Sequence, residues 1–149
     1  MTRTAKILAV ARKELGVKES PPDSNRVKYN EWYYRRPVSG AAYPWCMVFV
    51  QWVFHQAGTP LPLKTASCGA LASWAKRNGK FVISGYRPGD VVFFHFDGRH
   101  IVHTGIVERV CPGGLVTIEG NTGTGNNANG GEVMRRNRPI RFAAGAYRM

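Results

Sequence analysis

The stretch "DVVFFHFDGRHIVHTGIVERVCPGGLVTIEGN", residues 90–121, decides the fold. It holds three short runs, DVVFFHF (90–96), IVHTGIVERV (101–110) and LVTIEGN (115–121), rich in β-branched and aromatic residues. Turn formers separate them, in DGRH (97–100) and CPGG (111–114). Such runs fit a pleated, half-buried surface, and the short connections make neighbours of them. FVIS (81–84) precedes them across GYRPGD (85–90), and GEVMRRN (131–137) and RFAAGAYRM (141–149) finish the chain. In EGNTGTGNNANGGEV (119–133) the ANGG segment (128–131) reads as a hairpin turn, because Asn-Gly supplies positive φ cheaply. A phosphate loop is a weak reading there, since no GKS or GKT ending and no helical pattern follow.

Upstream of residue 81 the period is helical. Ile7, Leu8, Ala11 and Leu15 recur at helix spacing over residues 3–15, and Gly16 follows as a stop. ESPPDSN (19–25) is a loop, and VKYNEWYY (27–34) is a short helix or a packed loop. A second helix spans residues 45–56, with Val48, Phe49, Trp52 and Val53 on its apolar face, and ends at AGTP (57–60). A third spans 67–76 and stops at RNGK (77–80). Helices come first and strands second, without alternation. That order predicts an α+β domain, N-terminal helices on an antiparallel sheet, with residues 1–149 as one unit.

Composition narrows the function classes. Hydrophobic residues make up 44%, as in ordinary globular chains, and no apolar run approaches a membrane span. The apolar stretch Ile7–Ala11 is too short for a signal peptide and runs straight into Arg12, Lys13 and Glu14. Lys and Arg number 21 against 9 Asp and Glu, a net charge of +12, which implies attraction to a polyanion such as nucleic acid or an anionic cell envelope. The densest basic cluster is RRNRPIR (135–141), and a solvated face is its plainest reading.

Three cysteines, Cys46, Cys68 and Cys111, show neither CxxC nor zinc-finger spacing, so a disulfide framework and a structural zinc site are both disfavoured. Cys46 opens the second helix and Cys68 the third, the latter with Thr65 or Ser67 as cap. Free N–H groups and the helix dipole stabilise a thiolate at both places, and the thiolate is the reactive form. Helix position alone leaves the two level. Cys111 sits in a turn without a helix dipole.

A thiol nucleophile needs a base, and the base needs a holder. His55 lies more than two turns along the helix from Cys46, and His95 and His100 flank a turn. His103 lies within a strand, and alternation puts it on one face with Ile101 and Gly105. The following strand carries Glu119 and Asn121, two apart on one face, either of which would reach an adjacent imidazole. The plain reading of Glu119 alone is a strand-end charge facing water. The set lacks HxH and HExxH spacing for zinc, and Asp23, Asn25 and Glu31 lack the dense pattern of a calcium loop.

Taken together, WCMVFVQWV, RPGDVVFF, HTGIV and IEGN, in this order, resemble the CHAP family of peptidoglycan hydrolases, which group with the NlpC and papain-like cysteine peptidases. The resemblance runs from Thr4 to about Tyr147 and implies a papain-like α+β fold. It implies Cys46 as nucleophile, His103 as base and Glu119 with Asn121 as its holders. It implies cleavage of a cell-wall amide, by an amidase or an endopeptidase; the residues call for no cofactor, and a calcium site is open but unsupported by them. Some relatives hold calcium in an acidic loop ahead of the cysteine, and no such loop is recognisable here. PWC replaces the polar residue that many relatives carry before the cysteine, leaving Tyr43 as a candidate second oxyanion donor.

The expected partner is bacterial peptidoglycan, with anionic wall polymers held by the basic charge. The expected form is a monomer, made in the cytoplasm and acting on the wall after release, as in a phage lysin. Two rival readings stand beside it: a papain-like peptidase or isopeptidase acting on a protein, and a basic nucleic-acid-binding domain using its tryptophans and tyrosines to stack bases.

Overall fold

A computed structural model describes all residues, 1–149. Four helices precede a six-stranded sheet: α1 (Arg3–Lys13), α2 (Lys28–Tyr34), α3 (Cys46–Gln56), α4 (Cys68–Arg77), then β1 (Phe81–Val82), β2 (Val91–Phe94), β3 (His103–Cys111), β4 (Gly114–Thr122), β5 (Glu132–Pro139) and β6 (Ala143–Tyr147). A single 3₁₀ turn, Ile140–Phe142, leads into β6. The chain is therefore α+β, and all the strand pairings are antiparallel, in the order β1-β6-β2-β3-β4-β5. None of the helices is long and apolar enough to cross a membrane.

Local chemistry sets the helix ends. The Thr2 hydroxyl accepts from the Ala5 N–H at 3.0 Å and starts α1, and the Ser67 hydroxyl accepts from Ala70 at 3.1 Å and starts α4. Helix α1 ends at Lys13 with Glu14 as its cap, two residues sooner than periodicity predicts, and Gly16 at φ 93 turns the chain beyond it. The segment 27–34 resolves as the short helix α2.

Helix α3 is apolar almost all round, and a helix of that kind belongs in a core. Met47, Val48, Phe49, Val50 and Val53 are fully buried. Burying each such side chain stabilises by roughly 1.5–3 kcal/mol. The helix lies close against β4 at Gly120, where an added Cβ would stand 2.6 Å from Phe49 Cβ and 3.0 Å from the Trp45 ring. Only a glycine permits that approach, which fixes the start of α3 over the sheet.

Alternation splits the sheet residues between two faces. Val91, Phe93, Ile106 and Ile118 join the large core under the helices. Val92, Phe94, Val107, Leu115 and Ala146 form a smaller cluster on the other face, closed by Phe96 and Phe142. The turn expected at ANGG is instead a longer loop, residues 123–131, between β4 and β5. Gly130 packs so tightly on Gly123 that a Cβ would lie 2.1 Å from its nitrogen, and Gly131 at φ 77 makes the return. Strand β4 runs on to Thr122 through an irregularity after Glu119, so the loop begins later and reaches farther than a two-residue turn.

Candidate active site

Cys46 is the first residue of α3, and Trp45 precedes it as a cap with no side-chain hydrogen bond to the helix. The first-turn N–H groups are left facing the thiol end of the helix. Trp45 is anchored instead by its indole N–H, which donates to Glu19 Oε2 at 2.9 Å. Its ring stacks on Tyr29, with centroids 5.5 Å apart. Cys46 therefore sits on a rigid support built from α2, α3 and the 19–25 loop.

His103, the first residue of β3, is wholly buried. Its Nε2 meets Glu119 Oε1 at 2.8 Å, and its ring stacks on Phe94. Its Nδ1 is buried and has no hydrogen-bond partner. That leaves Nδ1 as the ring atom available to the Cys46 thiol.

Glu119 is also wholly buried, so the reading of it as a water-facing strand end is wrong. Gly105 on β3 makes the room for it: a Cβ there would stand 2.6 Å from Glu119 Cγ. Thr117 Oγ1 donates to Glu119 Oε2 at 2.6 Å. Arg138 of β5 donates through Nε to Oε2 at 2.8 Å and through Nη2 to Oε1 at 2.5 Å, a bidentate grip. The guanidinium lies over the rings of Phe94 and Phe96.

Asn121 has other partners. Its Oδ1 accepts from the Gly131 N–H at 3.1 Å and its Nδ2 points to Asn129 at 3.4 Å. Its backbone is left-handed, φ 56, and the side chain ties down the 123–131 loop. The structure thus brings together Cys46, His103 and Glu119, and the Asn121 side chain makes its hydrogen bonds to the loop and not to the imidazole. Strand alternation does not hold from Glu119 to Asn121, because β4 is irregular after Glu119. The Tyr43 ring packs edge-on against Tyr34, and its hydroxyl accepts from Arg36 at 3.4 Å.

Cys68, level with Cys46 on helix position, is a neighbour of it. The two Sγ atoms are 3.7 Å apart, both buried. The other histidines have partners of their own. His55 packs at a tilt against Trp32 at the far end of α3, in a hollow of about 240 Å³. His95 meets the Arg141 carbonyl and His100 pairs with Asp97 on the surface.

The electrostatics follow from these contacts. The Cys46 thiol is held well below its ordinary pKa, first by the hydrogen bond from Cys68, against the cost of burial, then by His103 and the helix backbone at Met47. Cys68 is pushed well up by the same hydrogen bond and by burial. Burial opposes a charged His103, but Cys46 and Glu119 on either side raise it to about 9. Glu119 is lowered to about 2, with Arg138 and His103 overcoming its burial. At neutral pH the row Cys46, His103, Glu119, Arg138 alternates in charge, minus, plus, minus, plus. Each buried charge has an opposite neighbour.

Sequence reasoning missed Arg138. It belongs to the RRNRPIR cluster read as a solvated face, yet only 4% of it is exposed. Arg135 binds Glu108, and Arg136 binds Thr122 and the loop carbonyl of Gly123, so most of this cluster is engaged within the molecule. Alternation of Arg136 and Arg138 on one face was the available signal.

Cys46 and Cys68 line a cleft of about 350 Å³ with Ala41, Pro44, Ile101 and Asn129. The loop 123–131 thereby forms one wall. No three His, Cys, Asp or Glu side chains converge as metal ligands. The Asn25 amide donates to the Gly40 carbonyl at 2.9 Å.

No curated protein matches the chain. The family model described as CHAP domain matches residues 38–121, which take in α3, α4, β2, β3 and most of β4, and with them Cys46, His103 and Glu119. That match covers more than half of the chain, and its fold and its thiol at a helix start are those expected of such a domain: the chain belongs to the CHAP-domain family.

Proposed function

We propose that this protein is a peptidoglycan hydrolase that cleaves a cell-wall amide with Cys46 as nucleophile. The observation that supports the reading is the buried His103–Glu119 pair, with its free Nδ1 beside a thiol at a helix start. The Cys46 thiolate adds to the amide carbonyl carbon and forms a C–S bond. The developing oxyanion is met by the Cys46 N–H at the uncapped start of α3. His103 gives its Nδ1 proton to the departing nitrogen, the C–N bond breaks, and a thioester remains. His103, now neutral, takes a proton from water. The hydroxide adds to the thioester and Cys46 leaves as thiolate. Glu119 holds the imidazole through Nε2 and balances its charge, and Arg138 and Thr117 hold Glu119.

The net charge of +12 suits a wall bearing stem-peptide carboxylates and anionic polymers. Attraction of this kind weakens with salt. The test is clearing of purified bacterial walls by wild type and Cys46→Ala, with mass spectrometry of the released muropeptides. Wild type releases fragments with new amine and carboxyl termini, which distinguish amidase from endopeptidase, and a folded Cys46→Ala releases none. Clearing by Cys46→Ala at the wild-type rate refutes the assignment.

A further inference from the structure

We propose that Cys46 and Cys68 form a reversible disulfide when the enzyme meets a peroxide, and that this bond switches the enzyme off while shielding its nucleophile. The inference rests on the reading of Cys46 as nucleophile. Three observations carry it. The two sulfurs are 3.7 Å apart, so closing to a bond of about 2.05 Å takes a shift of under 2 Å. Both thiols lie at the first residue of a helix, where the backbone N–H has no intrahelical partner and the side chain projects from the helix end rather than from its middle. Both line the same solvent-connected cleft, wide enough for a molecule the size of hydrogen peroxide.

The chemistry balances in two steps. The Cys46 thiolate attacks one peroxide oxygen and breaks the O–O bond. The departing hydroxide takes the proton of the His103 imidazolium and leaves as water, and Cys46 becomes a sulfenic acid. Cys68 then attacks the Cys46 sulfur and displaces its hydroxyl, which departs with the Cys68 proton as a second water. One peroxide is reduced by two electrons, and two thiols become one disulfide. The Cys46 thiolate is what holds the Cys68 proton in place. Once Cys46 is a neutral sulfenic acid that restraint is gone, so the first step prepares the second. Without Cys68 the sulfenic acid is open to further peroxide and the irreversible sulfinic and sulfonic acids. A dithiol reductant reverses the disulfide by exchange.

The experiment uses the full chain, reduced and then treated with hydrogen peroxide, read by intact mass, non-reducing peptide mapping and wall clearing. Wild type loses about 2 Da, its map links the Cys46 and Cys68 peptides, and dithiothreitol restores both mass and clearing. Cys68→Ser, compared with its own untreated activity, gains about 16 to 48 Da at Cys46 and is not restored beyond the sulfenic stage. Cys111→Ser behaves as wild type. A wild-type Cys46 that goes to sulfinic acid with no internally linked species overturns the proposal, as does a Cys46 linked to Cys111 or to a second chain. The mass readout stands apart from activity: a linked pair in a protein that clears no walls sinks the hydrolase reading and leaves the disulfide intact.

Discussion

Arg138→Met removes a buried guanidinium and keeps an apolar stem of similar length against Phe94 and Phe96. Glu119 then remains wholly buried with only His103 opposite its charge. Arg138 and His103 together hold Glu119 at about 2 against an ordinary 4.5. At about 1.36 kcal/mol per pKa unit that is about 3 kcal/mol of stabilisation of the charged form. Breaking a buried pair by removing one partner costs about 3–5 kcal/mol. The expected loss at pH 7 is thus about 3 kcal/mol, a large part of a typical domain's stability.

The sign with pH is fixed. A carboxylate lowered by folding stabilises fully above its unfolded pKa of 4.5, and that contribution disappears as pH falls through about 2. The gap between wild type and variant therefore narrows from pH 4.5 downwards. Urea unfolding at pH 7 and pH 3, followed by tryptophan fluorescence, measures it. Glu119→Gln combined with Arg138→Met loses less than the sum of the two single changes, because neither leaves the other's charge stranded. A loss below about 1 kcal/mol at pH 7, as for an exposed ion pair, refutes the reasoning.

The alkaline limb of wall clearing falls near pH 9, where His103 loses its proton. Its folded pKa lies above 6.5, so its stabilising contribution is complete below pH 6.5 and is lost as pH rises through about 9, and a limb near 6.5 contradicts the ion pair. Glu119→Gln moves that limb down and slows clearing, whereas Asn121→Ala leaves it in place, because Asn121 touches the loop and not the imidazole. A limb that moves with Asn121→Ala returns that residue to the role of holder. Gly105→Ala drives a methyl against Glu119 Cγ, and melting curves and clearing rates show a loss of about 1–3 kcal/mol together with reduced activity. Wild-type melting and clearing in this variant would show that the Glu119 position is not confined by β3.

The local signals carried the architecture because they are short-ranged. Strand runs with turn formers between them, and helix-period apolar residues before them, placed nearly every element to within a few residues. Cys46 at a helix start, His103 in a strand and Glu119 with Asn121 on the next strand were legible from position and period, and the resemblance assigned their roles. Period-2 alternation does not hold from Glu119 to Asn121, whose backbone is left-handed where β4 is irregular, and pairing register is a tertiary property.

The sequence by itself determined the α+β order, the buried character of α3 and the residue types of the candidate chemistry, since these depend on period, propensity and neighbours along the chain. Only the tertiary structure decided that β5 pairs beside β4 in the register that delivers Arg138 to Glu119, and that α4 turns Cys68 toward Cys46. Charges 19 residues apart and thiols 22 apart meet because packing closes that space, and no local pattern encodes such a meeting. Burial then changes what the residues are: a basic cluster becomes a structural counter-charge, and two equivalent cysteines become a thiolate and its hydrogen-bond donor.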